Sequence, residues 1–424
     1  MYATRVKPKL YLFANLLIIL FGFVLFFDHK ASRAILVLLG VLWLVTGDFH
    51  AKWERIRSHK LVWTFLLFVG MFVVGLLWTE NFYAGRKILE RPLLYLIVPI
   101  ALSMYQRKFI PYYLWSMLLA LITTGIMTGL IALGLLDIPY TIDTSPYVHR
   151  VYLAGMLIFA YSYFLDRIAT RPLVSWHTGV MVLLALLMVY TLEVSGSRMG
   201  YINLFIATAI VILYHFRLSW RGVVGMIGGL VLFALLAYGT LPQVKHQVDS
   251  TIKVIKTMDL EAQVLEQDTT KRRSLTCRFE FWYYAYQIGR ANPLLGVGSG
   301  DGILELQRLI GKPEAKQLFK QCLGDGSGQF NPHNMYLFMF MQFGVVGLVL
   351  LLWILSTQLR IALASHSAPF VVLIVTTIVT LFSLSELFTS KFFIPFYGYS
   401  VMVMYLLSIE YGTPEPTTPR SPHV

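Results

Sequence analysis

Leu61–Trp78 reads LVWTFLLFVGMFVVGLLW, a run without a single charge. As a helix rising 1.5 Å per residue it covers about 27 Å, close to the hydrocarbon thickness of a bilayer. Runs of this kind recur along the chain. Of its 424 residues, 57% are hydrophobic and only 13% are charged, and the mean hydropathy is +0.66. So little charge excludes a soluble domain of this size and defines an all-α polytopic membrane protein. Apolar runs near 11–27, 31–46, 61–78, 92–105, 112–136, 151–166, 176–192, 199–216, 222–241, 335–356, 369–388 and 393–409 give about twelve expected transmembrane helices. The first is flanked by Lys7 and Lys9 and lacks a small-residue cleavage pattern, so it reads as a span rather than a signal peptide.

Residues 1–241 then hold nine expected spans, 333–411 three more, and 412–424 a Pro/Thr-rich tail expected to be disordered and cytoplasmic. Between them, 242–332 is a polar interruption expected to form one large helical loop subdomain. With the N-terminus inside, fifteen lysines and arginines fall in the inner loops and eight in the short outer ones (Lys30, Arg33, Arg86, Lys87, Arg91, Arg150, Arg198 and Lys391). That is the direction of the positive-inside rule, and it puts the long loop outside, in a bacterium on the periplasmic face of the inner membrane. The net charge of +13 is spread over inter-span loops, which report orientation and lipid contact rather than nucleic acid.

The long loop has legible pattern. Val244, Val248, Ile252 and Ile255 recur at helical spacing between lysines, as in a helix lying on a membrane. From Thr276 a second helix is expected, with Phe281, Tyr284, Ala285 and Ile288 on one face and Arg278 and Trp282 projecting together. Asn292-Pro293 stops it. Asp301 can cap a third helix over Ile303–Ile310, and Pro313 can begin a fourth toward Cys322. The run Gly296-x-Gly298-x-Gly300 follows a helix rather than a strand and is no dinucleotide fingerprint; a tight turn at the membrane surface is the reading favoured over a phosphate cradle.

Candidate chemistry gathers on the outer face. Arg86, Lys87 and Arg91 stand at one span entrance and Arg198 at another, where the charge rule disfavours them. With Arg272, Arg273 and Arg278 in the loop they suit a phosphate or diphosphate, the alternative being contact with lipid headgroups. His333 is the sharper signal: Asn331 can cap the following helix, Pro332 fits its first turn, and the positive dipole end disfavours imidazolium. Such a histidine can accept a proton, with Asn334 available to fix its tautomer. There is no Asp-x-Asp, no histidine pair at ligand spacing and no Cys-x-x-Cys, so neither a metal nor a cofactor is indicated. Ser195 and Ser197 have no neighbouring base and read as helix entry. Cys277 and Cys322 both fall in the outer loop and can pair in an oxidising compartment.

The ordered set Ser195-Gly196-Ser197-Arg198, Arg278 with Trp282, Asn292 to Gly298, His333-Asn334-Met335-Tyr336 and Gly344-Val345-Val346-Gly347 resembles the O-antigen ligase and polymerase superfamily, and within it most of all the O-antigen ligase family. The resemblance implies a GT-C-like membrane fold and a metal-independent, inverting glycosyltransferase. Its donor would be a glycan on undecaprenyl diphosphate and its acceptor a sugar hydroxyl of lipid A–core. His333 would serve as general base, with Arg278 catalytic and Arg198, Arg278, Arg86, Lys87 and Arg91 binding the donor diphosphate. An O-antigen polymerase or a protein O-oligosaccharyltransferase would share the donor and differ in acceptor. A transporter is disfavoured because ionisable groups avoid the middles of the spans. One chain can enclose such a site, so a monomer is expected.

Overall fold

The computed structural model describes residues 2–138, 147–172, 175–216, 220–240, 274–310, 332–383 and 390–411, with isolated positions at 244–245, 248–249, 252 and 388. All regular structure among these residues is helical. In chain order the α-helices are α1 (Tyr2–Val24), α2 (His29–Val45), α3 (Phe49–Ser58), α4 (Lys60–Val74), α5 (Phe82–Leu89), α6 (Ile97–Met104), α7 (Ile110–Ala132), α8 (Arg150–Ala169), α9 (Trp176–Ser195), α10 (Arg198–His215), α11 (Trp220–Thr240), α12 (Ser274–Ala291), α13 (Asp301–Ile310), α14 (Met335–Ala364), α15 (Ala368–Leu381) and α16 (Phe393–Tyr411). Short 3-10 turns continue α4 through Gly75–Trp78 and precede α6 at Pro92–Leu96.

Each expected apolar run carries helical structure. Among the described residues, eight helices are long and apolar enough to cross a membrane: Lys7–Val24, Lys60–Trp78, Arg107–Ala132, Arg150–Ala169, Trp176–Ser195, Arg198–His215, Met335–Ala364 and Phe393–Tyr411. The chain is thus a multi-pass membrane protein. α16 is its central post, with 72% of its apolar window buried, whereas only 28% of α10 is covered and the rest is left to lipid. Inside the bundle, where no water competes, polar groups satisfy one another. Tyr397 Oη donates to Gln358 Oε1 at 2.6 Å, and Gln358 Nε2 to Thr64 Oγ1 at 2.9 Å. Tyr399 Oη donates to the Ile18 carbonyl at 3.0 Å, tying α16 to α1.

Two loop helices stand where the sequence pattern put them, as α12 and α13. Phe281, Ala285 and Ile288 are buried along one face of α12, with Tyr284 half-buried beside them. The amphipathic helix expected near 244–255 and the helix toward Cys322 fall outside the described residues, save single helical positions in the first.

The helix expected from 335 kinks at Gly344, whose φ of 61° and ψ of −156° are not helical. The stretch 345–364 is bilayer-length on its own, about 30 Å, with 335–343 a helical arm turned off its start. A side chain at that dihedral would be strained, which is why glycine occupies it. Beyond this, a Cβ on Gly344 would stand 2.4 Å from the Leu294 carbonyl.

Candidate active site

His333 sits just before α14, with φ of +48°. A non-glycine residue in this left-handed region costs about 1–3 kcal/mol and persists only where neighbours over-determine it. Those neighbours are plain. Pro332 is buried on one side, and on the other Asn334 is the true N-cap, its side chain accepting the Leu337 amide at 3.1 Å. The expected cap, Asn331, lies outside the described residues. The cap therefore falls three residues later than expected, and His333 precedes the helix rather than opening it. The imidazole still lies at the positive end of the helix dipole.

The ring of His333 meets Phe281 of α12 edge-on, with centroids 6.3 Å apart and planes at 74°. Arg278 is one turn before Phe281 on the same helix, and both Arg278 and Trp282 are half-buried. α12 runs parallel to the arm of α14: further along, Tyr286 stacks on Phe340 at 6.2 Å, and Gly289 lies so close that an added Cβ would be 2.4 Å from the Phe340 ring. Packing along this seam brings the Phe281 turn of α12, one turn from Arg278, against the histidine. Of the other loop candidates, Arg272 and Arg273 lie outside the described residues. So do Cys322 and the side chain of Cys277, which removes the proposed cysteine pair from view.

Arg198 reaches the same end of the bundle by another route. Gly196, at φ +61°, ends α9, and Ser197 caps α10 by accepting the Gly200 amide at 3.4 Å, leaving Arg198 exposed on the first turn. One turn further, Asn203 Nδ2 donates to Thr380 Oγ1 at 2.7 Å. Two residues from Thr380, the Ile378 carbonyl accepts from Tyr336 Oη at 3.1 Å, and Tyr336 stands one turn from His333. The end of α15 is therefore the bridge between Arg198 and His333. Ser195 donates to the Leu192 carbonyl at 2.7 Å, so the serines here serve the helix junction, as expected. Sequence reading missed Glu193, which accepts from Tyr201 Oη at 2.7 Å beside that junction.

The glycine-rich run is a joint. Every amide from 296 to 300 is used internally: Gly296 to Asn292, Val297 to Met341, Gly298 to Gln342, Ser299 to Gly75, and Gly300 to the Gln342 side chain at 2.8 Å. In return Val345 and Val346 donate to the Pro293 and Leu294 carbonyls, filling the gap that Gly344 opens in α14. No amide is left to cradle a phosphate, and the run is a tight turn packed between α14 and the end of α4. Gly296, Gly298 and Gly300 have φ of +64°, +99° and +94°, and an added Cβ at each would overlap Gln342, Thr79 and Ala84 respectively.

Through this joint the loop also holds α5. The Asp301 carboxylate accepts the Glu80 amide at 2.6 Å and the Asn81 amide at 3.1 Å, and Asn81 in turn caps α5 through Ala84. α5 carries Arg86 and Lys87, both exposed. Arg91 follows, half-buried. Desolvation, and after it the fields of Arg33, Arg91 and Lys30, hold the Lys391 ammonium below its ordinary pKa, a gathering of cations from separate segments that no local pattern announces. Lys391 Nζ also lies 3.4 Å from His29 Nε2.

These features define a class, a polytopic helical membrane protein with a histidine and arginines gathered at one end of its bundle around a structured loop. Residues 183–352 match the family model described as O-antigen ligase. The matched segment holds Arg198, Arg278 and His333 together with the glycine joint, and leaves out Arg86, Lys87 and Arg91. A protein of Haemophilus influenzae named only as uncharacterized is 23% identical over 357 residues, covering 81% of this chain and 83% of its own length. The match over this segment supports activity of the O-antigen ligase or polymerase type, with a lipid-linked glycan and a lipid acceptor as partners.

Proposed function

We propose that this protein transfers O-antigen polysaccharide from undecaprenyl diphosphate to a hydroxyl of lipid A–core, without a metal and with inversion at the anomeric carbon. The observation that supports the reading is the ring contact of His333 with Phe281, a residue one turn along α12 from Arg278, inside the segment matched to the O-antigen ligase model. The acceptor oxygen attacks the anomeric carbon as its proton passes to a ring nitrogen of His333. The bond from that carbon to the diphosphate oxygen breaks, and the electron pair leaves with the diphosphate. Arg278 and Arg198 neutralise the growing charge, with Arg86, Lys87 and Arg91 holding the rest of the donor headgroup and Arg272 and Arg273 accessory to it. A lipid diphosphate is already an activated leaving group, so a single displacement needs no enzyme nucleophile.

The same reading takes the chain as a GT-C-like monomer of about twelve spans in the bacterial inner membrane, its site on the periplasmic face and 242–332 forming a wall over it. A polymerase or a protein-acceptor enzyme would use the same donor and the same residues. The test is transfer by the purified protein in liposomes holding the lipid-linked polymer, offered lipid A–core in the presence of EDTA. Polymer joined to lipid A–core supports the ligase. Chains lengthened on the donor lipid instead would mean a polymerase, and dependence on added metal would refute the metal-free mechanism. In the same assay, Arg278→Ala should weaken donor use, raising donor KM or lowering kcat by tenfold or more.

A further inference from the structure

The corner where α2 begins and α16 is about to begin collects basic groups that the transfer mechanism does not use. Arg33 is half-buried, its Nε is enclosed without a hydrogen-bond partner, and among the described residues it makes no ion pair. A guanidinium with five donors is seldom left so. Among the described residues, Lys391 Nζ meets His29 Nε2 at 3.4 Å and the Phe392 ring at 5.3 Å, and the His29 ring packs edge-on against Phe392 with centroids 5.6 Å apart. The neighbouring carboxylate of Asp28 is engaged as the N-cap of α2, accepting the Lys30 amide at 2.7 Å. His29, Lys30 and Arg33 all lie on the first turns of α2, where the helix dipole is positive and further cations are least welcome. Gathering like charges at a helix N-terminus opposes folding, and a bound anion removes that opposition.

We propose that His29, Lys30, Arg33 and Lys391 form a second anion site, separate from the donor diphosphate, that receives a phosphate group of the acceptor lipid. Arg91 borders both sites. The segments that build this corner, around 29–33 and 391, lie outside 183–352, so the proposal extends the transferase reading on which it rests rather than following from the family match. An acceptor held by its phosphate at this corner has its position set before its hydroxyl reaches His333.

The experiment measures acceptor binding without donor, which keeps it apart from whether transfer occurs. The wild type and an Arg33→Gln/Lys391→Gln variant, each in phosphatidylcholine nanodiscs, are titrated with lipid A–core bearing its phosphates and with the same lipid after phosphatase treatment. The expected result is a Kd at least tenfold weaker for the variant with the phosphorylated acceptor. For the dephosphorylated acceptor the two proteins should agree. Equal affinity of both proteins for the phosphorylated lipid, or equal weakening for both lipids, overturns the proposal. If the proposal holds while the liposome assay shows no transfer, the fault lies with the transferase reading.

Discussion

The glycine joint and the cationic corner are built on opposite principles. From 296 to 300 every amide finds a carbonyl or side chain, and Ser299 adds a hydroxyl bond to the Phe72 carbonyl at 2.7 Å. At the corner, Arg33 Nε has no hydrogen-bond partner among the described residues and Lys391 faces other cations. A region satisfied by its own chain is there to hold geometry, and one left unsatisfied is there to meet something else. By that criterion the glycines, which look like a phosphate cradle, are scaffold. The span-boundary cations, which look like lipid anchors, are on the proposed reading the binding surface.

The contrast can be broken at either end. Gly296→Ala should have the largest effect on stability. Its φ is +64°, and a Cβ would meet the Gln342 and Phe343 backbone at 2.4 Å, atoms that cannot swing aside. A loss of about 2–5 kcal/mol is expected from strain and overlap together, seen as poor recovery or a much lower Tm in detergent. A wild-type melt would remove the joint from the scaffold. Asp301→Ala comes next. It strips two amides at the start of α5 of a charged acceptor and should cost about 1.5–3 kcal/mol by thermal melting, and donor KM should rise as Arg86 and Lys87 lose their mount. The smallest change has the opposite sign. Arg33→Gln removes a cation from a crowded set, so the ligand-free protein should melt at the same temperature or slightly higher; a clear drop in Tm would make Arg33 structural.

Much of this was legible beforehand, for local reasons. Leu61–Trp78 declares a span by length alone, and the spacing of Phe281, Ala285 and Ile288 foretells which face of α12 is buried. Cap chemistry was read correctly in kind and misplaced in register, because Asn331-Pro332-His333-Asn334 offers two asparagines and only tertiary packing chooses between them. What stayed hidden depends on distant pairs. Asp301 suggested a cap for its own helix, yet its carboxylate serves Glu80 and Asn81 some 220 residues earlier. Gly344 looked like part of a motif, and nothing local says that Pro293 and Leu294 fill the break it makes. Arg33 and Lys391 were visible only as charges on the disfavoured side, and their meeting depends on how α2 and α16 pack.

The most direct measurement of the central claim is transfer by His333→Ala in the liposome assay, with Tm read on the same sample. His333 holds no α14 cap, since that task belongs to Asn334. The variant should therefore fold, and loss of the strained side chain should leave Tm within a few degrees of wild type. Loss of a general base lowers the rate by about 10²–10⁴-fold, and that fall in kcat is the expected result. A folded His333→Ala protein that transfers glycan at the wild-type rate would contradict the account.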